Sequence, residues 1–200
     1  MPFPPRTPAS DAFSRAIYRH LVATNAPGGG VNRMMITVVT AGGTVGLPSR
    51  VFIGFSGGIA GGGVRAALTA LAATPIFNAF TTTVLPFAGA QQLTHAPDGP
   101  IAAAPGHFQV TQGRHCAEPR ALMEAAASGE HINGMSTLWW GNNANAYPHP
   151  AAGLPNGVGG NTIFAAPCAI CAMNADWVMA RASLKRDAAR GMQRFHEAPF

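Results

Sequence analysis

An α/β domain is the expectation for this chain, on three grounds. Segments of helical period and segments of strand period alternate along it. Hydrophobic residues make up 48% of its 200 residues, enough for one buried core. Charged residues are only 10%, against 24 glycines and 17 prolines. That balance argues against coiled coils and long solvent-exposed helices and favours many turns and long loops. Thirteen Lys and Arg against eight Asp and Glu give a net charge of +5. Such an excess is compatible with a nucleic-acid partner without demanding one.

The elements follow in chain order. Met1-Pro-Phe-Pro-Pro-Arg6 is not followed by an apolar run, so no cleavable signal peptide is read there. Phe13, Ile17 and Leu21 recur at helical spacing to about Thr24, with Ser10 or Asp11 as the cap and Gly28-Gly29-Gly30 as the stop. Residues 1–30 are thus a helix with a Pro/Gly-rich lead. Arg33 to Thr40 is β-branched and Met-rich, and Arg50 to Ser56 is similar. The turn between them, with Gly42-Gly43 and Pro48, makes the pair an antiparallel hairpin.

Residues 57–113 read as an insertion or loop layer over one end of the sheet. Val64 to Ala73 has helical character, but Pro75, Pro86, Pro97, Pro100 and Pro105 keep interrupting the pattern. The uncharged run Ala66–Pro97 is broken in the same way and reads as buried or loop sequence, not a membrane span. A helix follows over Pro119–Ser128, then a buried strand over Gly134–Trp140 and a loop over Gly141–Asn161. Thr162 to Ala166 reads as a short strand. From Pro167 a long helix is expected, with Ile170, Met173, Trp177, Ala180, Leu184 and Ala188 as its apolar stripe. One domain spans residues 1–200, with its chemistry in 114–186, and no internal repeat is visible.

All three cysteines fall in two short motifs, Cys116-Ala117-Glu118-Pro119 and Pro167-Cys168-Ala169-Ile170-Cys171. Spacing i, i+3 at a helix start puts Cys168 and Cys171 one turn apart on one face, where both sulfurs can reach one ion. Pro119 fits a first helical position, and Pro167 marks a second helix entry. Three thiolate ligands leave the fourth position of a zinc ion open to water, the catalytic arrangement. Glu118, two residues beyond Cys116, reaches the edge of such a site without ligating, where a carboxylate can move protons. Other readings of the same cysteines are a redox pair, a structural zinc site completed by His115 or His131, and inert core thiols.

The run Gly113-Arg114-His115-Cys116-Ala117-Glu118-Pro119-Arg120-Ala121-Leu122, followed by Pro-Cys-x-x-Cys, resembles the cytidine deaminase-like superfamily, most closely its bacterial and fungal toxin-type branch. The motifs cover about fifteen residues, and the order hairpin, helix, strand, helix extends the likeness over roughly 33–185. The resemblance implies a three-layer α/β/α fold with a mixed sheet and zinc-bearing helices. It implies Zn2+ on Cys116, Cys168 and Cys171, with Glu118 as proton shuttle in hydrolytic deamination of cytosine to uracil. It further implies that the chain is a module of a secreted toxin acting in a target-cell cytoplasm, neutralised by an immunity protein. A three-thiolate site is more negative than one with a histidine. Arg120, or Arg114 or His115, is therefore a candidate to offset that charge, against the simpler reading of solvated surface residues.

Substrate contacts are expected from Phe55 and Ser56 at the end of the second strand, from His115 and Ala117 beside the first cysteine, and from Trp140, Asn142 and His149 around the long loop. Neighbouring tryptophans on a strand face opposite sides, so one of Trp139 and Trp140 belongs to the core and the other is available to stack on a base. Arg186, Arg190 and Arg194 recur at i, i+4, i+8 and form a basic ridge if the helix continues, either a phosphate-backbone contact or a solvated face. These features favour cytosine in nucleic acid, DNA before RNA. The alternatives are a deaminase of free cytidine or a small nucleobase compound, and a non-catalytic zinc-stabilised nucleic-acid-binding module. Gly54-Phe55-Ser56-Gly57-Gly58 also fits a nucleophile elbow, but that reading leaves the cysteines unexplained. Gly61-Gly62-Gly63-Val64-Arg65-Ala66 fails as a dinucleotide fingerprint because no acidic residue follows it before Asp98.

Overall fold

The computed structural model describes residues 2–24, 33–56, 62–78, 80–84, 116–141, 163–167, 171–172 and 175–197. Their elements are α1 (Pro8–Ala23), β1 (Arg33–Ala41), β2 (Arg50–Phe55), α2 (Gly62–Ala72), α3 (Pro75–Asn78), β3 (Thr81–Val84), α4 (Ala117–Ala127), β4 (Ile132–Gly141), β5 (Phe164–Ala165) and α5 (Ala175–Glu197). The strands form one mixed sheet in the order β3-β2-β1-β4-β5. β1 is antiparallel to both β2 and β4, β4 is antiparallel to β5, and β3 is parallel to β2. The class is α/β, as the alternation of periods predicts.

Strand alternation divides the core between two faces of the sheet. Ile36 and Val38 of β1, Val51, Ile53 and Phe55 of β2, and Leu138 and Trp140 of β4 join Phe13, Ile17 and Leu21 of α1 in one cluster. Val39, Phe52 and Met135 join Ala121, Leu122 and Ala125 of α4, together with Trp177 and Val178 of α5, in another. At the sheet centre on the α4 side, Thr37 and Thr137 satisfy one another through a buried hydroxyl pair at 2.8 Å.

The first helix starts earlier than the sequence suggests. Its N-cap is Thr7, not Ser10 or Asp11. Thr7 Oγ1 accepts from the Ser10 N–H at 3.2 Å, and Ser10 Oγ accepts from the Thr7 N–H at 3.0 Å. Pro8 can open the helix because its missing N–H has no intrahelical partner to lose. In the β1–β2 turn, Gly42 and Gly43 have φ of +66° and +59°, and a Cβ on Gly43 would stand 2.4 Å from the Leu47 carbonyl oxygen. Only glycine fits there.

Two further expectations are corrected. The described part of the expected insertion or loop layer is not all loop: the helical character of Val64–Ala73 is borne out as α2, and α3 and the edge strand β3 follow. Of the stripe expected on the last helix, Ile170 and Met173 lie outside the described residues, and beyond Trp177 the rest is not the packed face. Trp177 is buried, but Ala180 and Ala188 are exposed and Leu184 is 70% exposed, while Val178 and Ala182 are buried. Alanines lie all round this helix, so several stripes look apolar in sequence. The small residues Ala121 and Ala125 of α4 are what α5 packs on. Among the described residues no helix is long and apolar enough to cross a membrane.

Candidate active site

The first turn of α4 carries the Cys-Ala-Glu motif, and its placement follows from local sequence. Cys116 is the N-cap, with extended backbone (φ −83°, ψ 136°) and no side-chain capping hydrogen bond. Ala117 and Glu118 are therefore the first two helical residues. Pro119 is the third, not the first as the sequence suggests. It remains in the turn whose N–H groups have no i−4 acceptor, so it costs no hydrogen bond. A carboxylate at the second helical position also lies at the positive end of the helix dipole.

This turn is pressed onto the sheet. A Cβ on Gly54 of β2 would lie 2.8 Å from the Ala117 carbonyl oxygen and 3.1 Å from Ala121 Cβ, so only glycine allows the approach. Arg120 fixes the helix from the side, donating from Nη1 to the Phe55 carbonyl oxygen at 2.9 Å. Its residue is 4% exposed, and burial lowers the guanidinium pKa from its ordinary value. Arginine stays charged at neutral pH even so. The reading of Arg120 as a solvated surface charge is therefore wrong: a buried cation stands two residues from Glu118, which is itself 2% exposed.

Cys171 is fully buried, and half-buried Cys116 packs against the same apolar cluster between α4 and the start of the C-terminal helical region. The fold thus brings into one cluster two cysteines that lie far apart in the chain. Cys168 lies outside the described residues, as do Arg114, His115, Asn142 and His149. The two described cysteines are donors that suit a thiophilic ion, with Glu118 in the turn that Cys116 caps. Among the described residues no group of three His, Cys, Asp or Glu side chains comes together.

The expected substrate contacts divide. Phe55 is 1% exposed and points into the α1-side core, so its side chain faces away from α4 and only its carbonyl serves the site, by holding Arg120. Ser56 closes the end of β2 on β1: its N–H donates to the Met35 carbonyl at 2.9 Å and its Oγ accepts from the Met35 N–H at 2.7 Å. Ala117 is fully buried beside Met35 and Ala165. Trp140 is on the wrong face. It packs edge-on to Tyr18 of α1 with centroids 5.7 Å apart, because the β4 register turns even-numbered residues toward α1. Its neighbour Trp139 is the partly buried tryptophan on the α4 side, against Met35, Ala117 and Ala165. Alternation predicts that the two differ but does not say which faces α4.

Two residues of the expected basic ridge also bond within the chain, and Arg190 is exposed. Arg190 Nε donates to the Gly129 carbonyl at 2.7 Å, past the C-terminal end of α4. Arg186 bonds Ser183 and pairs with Asp187. The Arg194 side chain lies outside the described residues. Comparison of the chain with protein-family models, with curated proteins and with solved structures gave no match.

Proposed function

We propose that the chain is a zinc-dependent cytosine deaminase of the cytidine deaminase-like type, acting on cytosine in nucleic acid, with DNA as the first substrate to test. The observation that carries the reading is the buried Glu118 in the first turn of a helix capped by Cys116, with Cys171 in the cluster that Cys116 packs against. Cys116, Cys168 and Cys171 would hold the ion. When bound, zinc supplies Lewis acidity and lowers the pKa of water at its open position.

The rest of the chemistry belongs to the chain. The Glu118 carboxylate takes a proton from the attacking water and gives it to the pyrimidine ring at N3. It then carries a second proton to the amine nitrogen on C4. The C4–O bond forms, the C4–N bond breaks, and ammonia leaves. Burial of Glu118 keeps bulk water from competing for those protons. Arg120 holds the α4 turn, and with it Glu118, on β2. Trp139 offers a ring for base stacking from the sheet beside Ala117. The net charge of +5 favours a polyanionic substrate.

The test is nucleoside mass spectrometry after incubating zinc-loaded protein with single-stranded DNA, duplex DNA, RNA and free cytidine, with Glu118→Ala in parallel. Uracil formed in a polymer by the wild type and abolished in the variant is the expected result. Conversion of free cytidine alone moves the protein to nucleoside chemistry. Zinc binding with no conversion in any pool overturns the catalytic reading in favour of a binding module.

A further inference from the structure

Residues 2–6 run along the part of the sheet edge that β5 leaves uncovered. β5 pairs with β4 only at Thr137 and Leu138. Two residues earlier on β4, the Met135 N–H donates to the Pro5 carbonyl at 3.0 Å. The N-terminal arm thus takes over the edge where the short strand stops. Arg6 then makes a two-pronged ion pair with Asp11, Nε at 3.0 Å and Nη2 at 2.6 Å. The same carboxylate accepts from Ser136 Oγ, so one side chain ties together the arm, α1 and β4. The Arg6 guanidinium lies 4.1 Å above the ring of Phe164, the first residue of β5. Phe3 packs against the cluster that contains Cys171. The arm also walls a cavity of about 400 Å³ whose far side includes Ala165, Pro167 and Ala172.

We propose that Arg6 is a positioning residue for Cys171. β5 is a short ladder, two paired residues and one further bond from the Trp139 N–H to the Ile163 carbonyl at 2.7 Å, and so gains from side-chain support. Stacking of the fixed Arg6 guanidinium on Phe164, closer than that of Arg15 at 5.9 Å, supports the strand, and Phe3 packs against the cluster that contains Cys171. In sequence Cys171 lies only six positions after β5, and Ala166 and Pro167 of the link between them are described. Cys116 shares that cluster but caps a turn that Gly54 and Arg120 also hold on β2, so loss of the Arg6 stack should act more on Cys171 than on Cys116. The inference rests on the proposed metal site in one respect, that Cys171 is a ligand.

The experiment compares wild type, Arg6→Met, Arg6→Lys and Phe164→Leu as zinc-free full-length proteins. Alkylation rates at Cys171 and Cys116 are read by peptide mass spectrometry, and zinc affinity by titration against a chromophoric chelator. Arg6→Met and Phe164→Leu should raise the rate at Cys171 relative to Cys116 on the order of tenfold and weaken zinc binding similarly. Arg6→Lys, which keeps the Asp11 pair but loses the flat stack, should fall between. An unchanged Cys171-to-Cys116 ratio, or equal acceleration of both, overturns the proposal. If Arg6→Met does not fold, Phe164→Leu decides. A shifted ratio in a protein whose wild type binds no zinc upholds the positioning role and overturns the metal site instead.

Discussion

Replacing Gly54 with alanine tests the close seating of α4 on β2. The new Cβ would stand 2.8 Å from the Ala117 carbonyl oxygen, 3.1 Å from Ala121 Cβ and 3.2 Å from Ala121 N. A relaxed carbon–oxygen contact is about 3.3 Å, so the helix start must retreat by roughly 0.5 Å. The atoms in the way are mostly backbone and cannot rotate aside. Overpacking of this kind costs about 1–3 kcal/mol, and the lower entropy of the unfolded alanine chain offsets about 0.4–1 kcal/mol of it. Gly54→Ala should therefore lower stability by about 1–2 kcal/mol in urea unfolding. The proposed deamination should fall further than stability does, by about tenfold or more, because the displaced turn carries Glu118. Gly46→Ala is the control: its Cβ meets nothing within 4 Å, and its unfolding midpoint should hold or rise slightly. An unchanged midpoint for Gly54→Ala would refute the described approach of helix to strand.

Arg120→Met leaves the buried Phe55 carbonyl without its charged donor, so stability should drop by about 1.5–3 kcal/mol. Arg120→Lys should recover part of that loss, and denaturant titration of both variants reads the difference. Thr7→Ala removes the α1 cap and should cost about 1 kcal/mol in thermal or urea unfolding. Leu184→Lys should change stability by less than about 0.5 kcal/mol because the side chain is 70% exposed. Val178→Lys, on the packed face of the same helix, should prevent folding or cost several kilocalories, read by far-UV circular dichroism and denaturation.

The motifs that carry the resemblance to zinc deaminases are legible because a cap, a carboxylate and paired thiols work at fixed short spacings. Elements with clean periods are equally legible. Phe13, Ile17 and Leu21 face the core, β1 and β2 form the hairpin, and α4 and β4 lie within a few residues of their expected bounds. The parallel edge strand β3 is not legible, since four residues of Thr-Thr-Thr-Val carry too little period to stand out between prolines.

Local matters are settled by the amino-acid order alone: the helical and strand periods, the cysteine and glutamate motifs, and the rule that Trp139 and Trp140 face opposite ways. Long-range packing selects which of the two tryptophans faces α4 and which stripe of the alanine-rich α5 is buried. It also makes Arg120 a buried strut and ties Arg190 to the end of α4. One cause underlies all of these. Period fixes the relation between neighbouring residues, but the choice of face depends on what packs against it, and that partner comes from elsewhere in the chain.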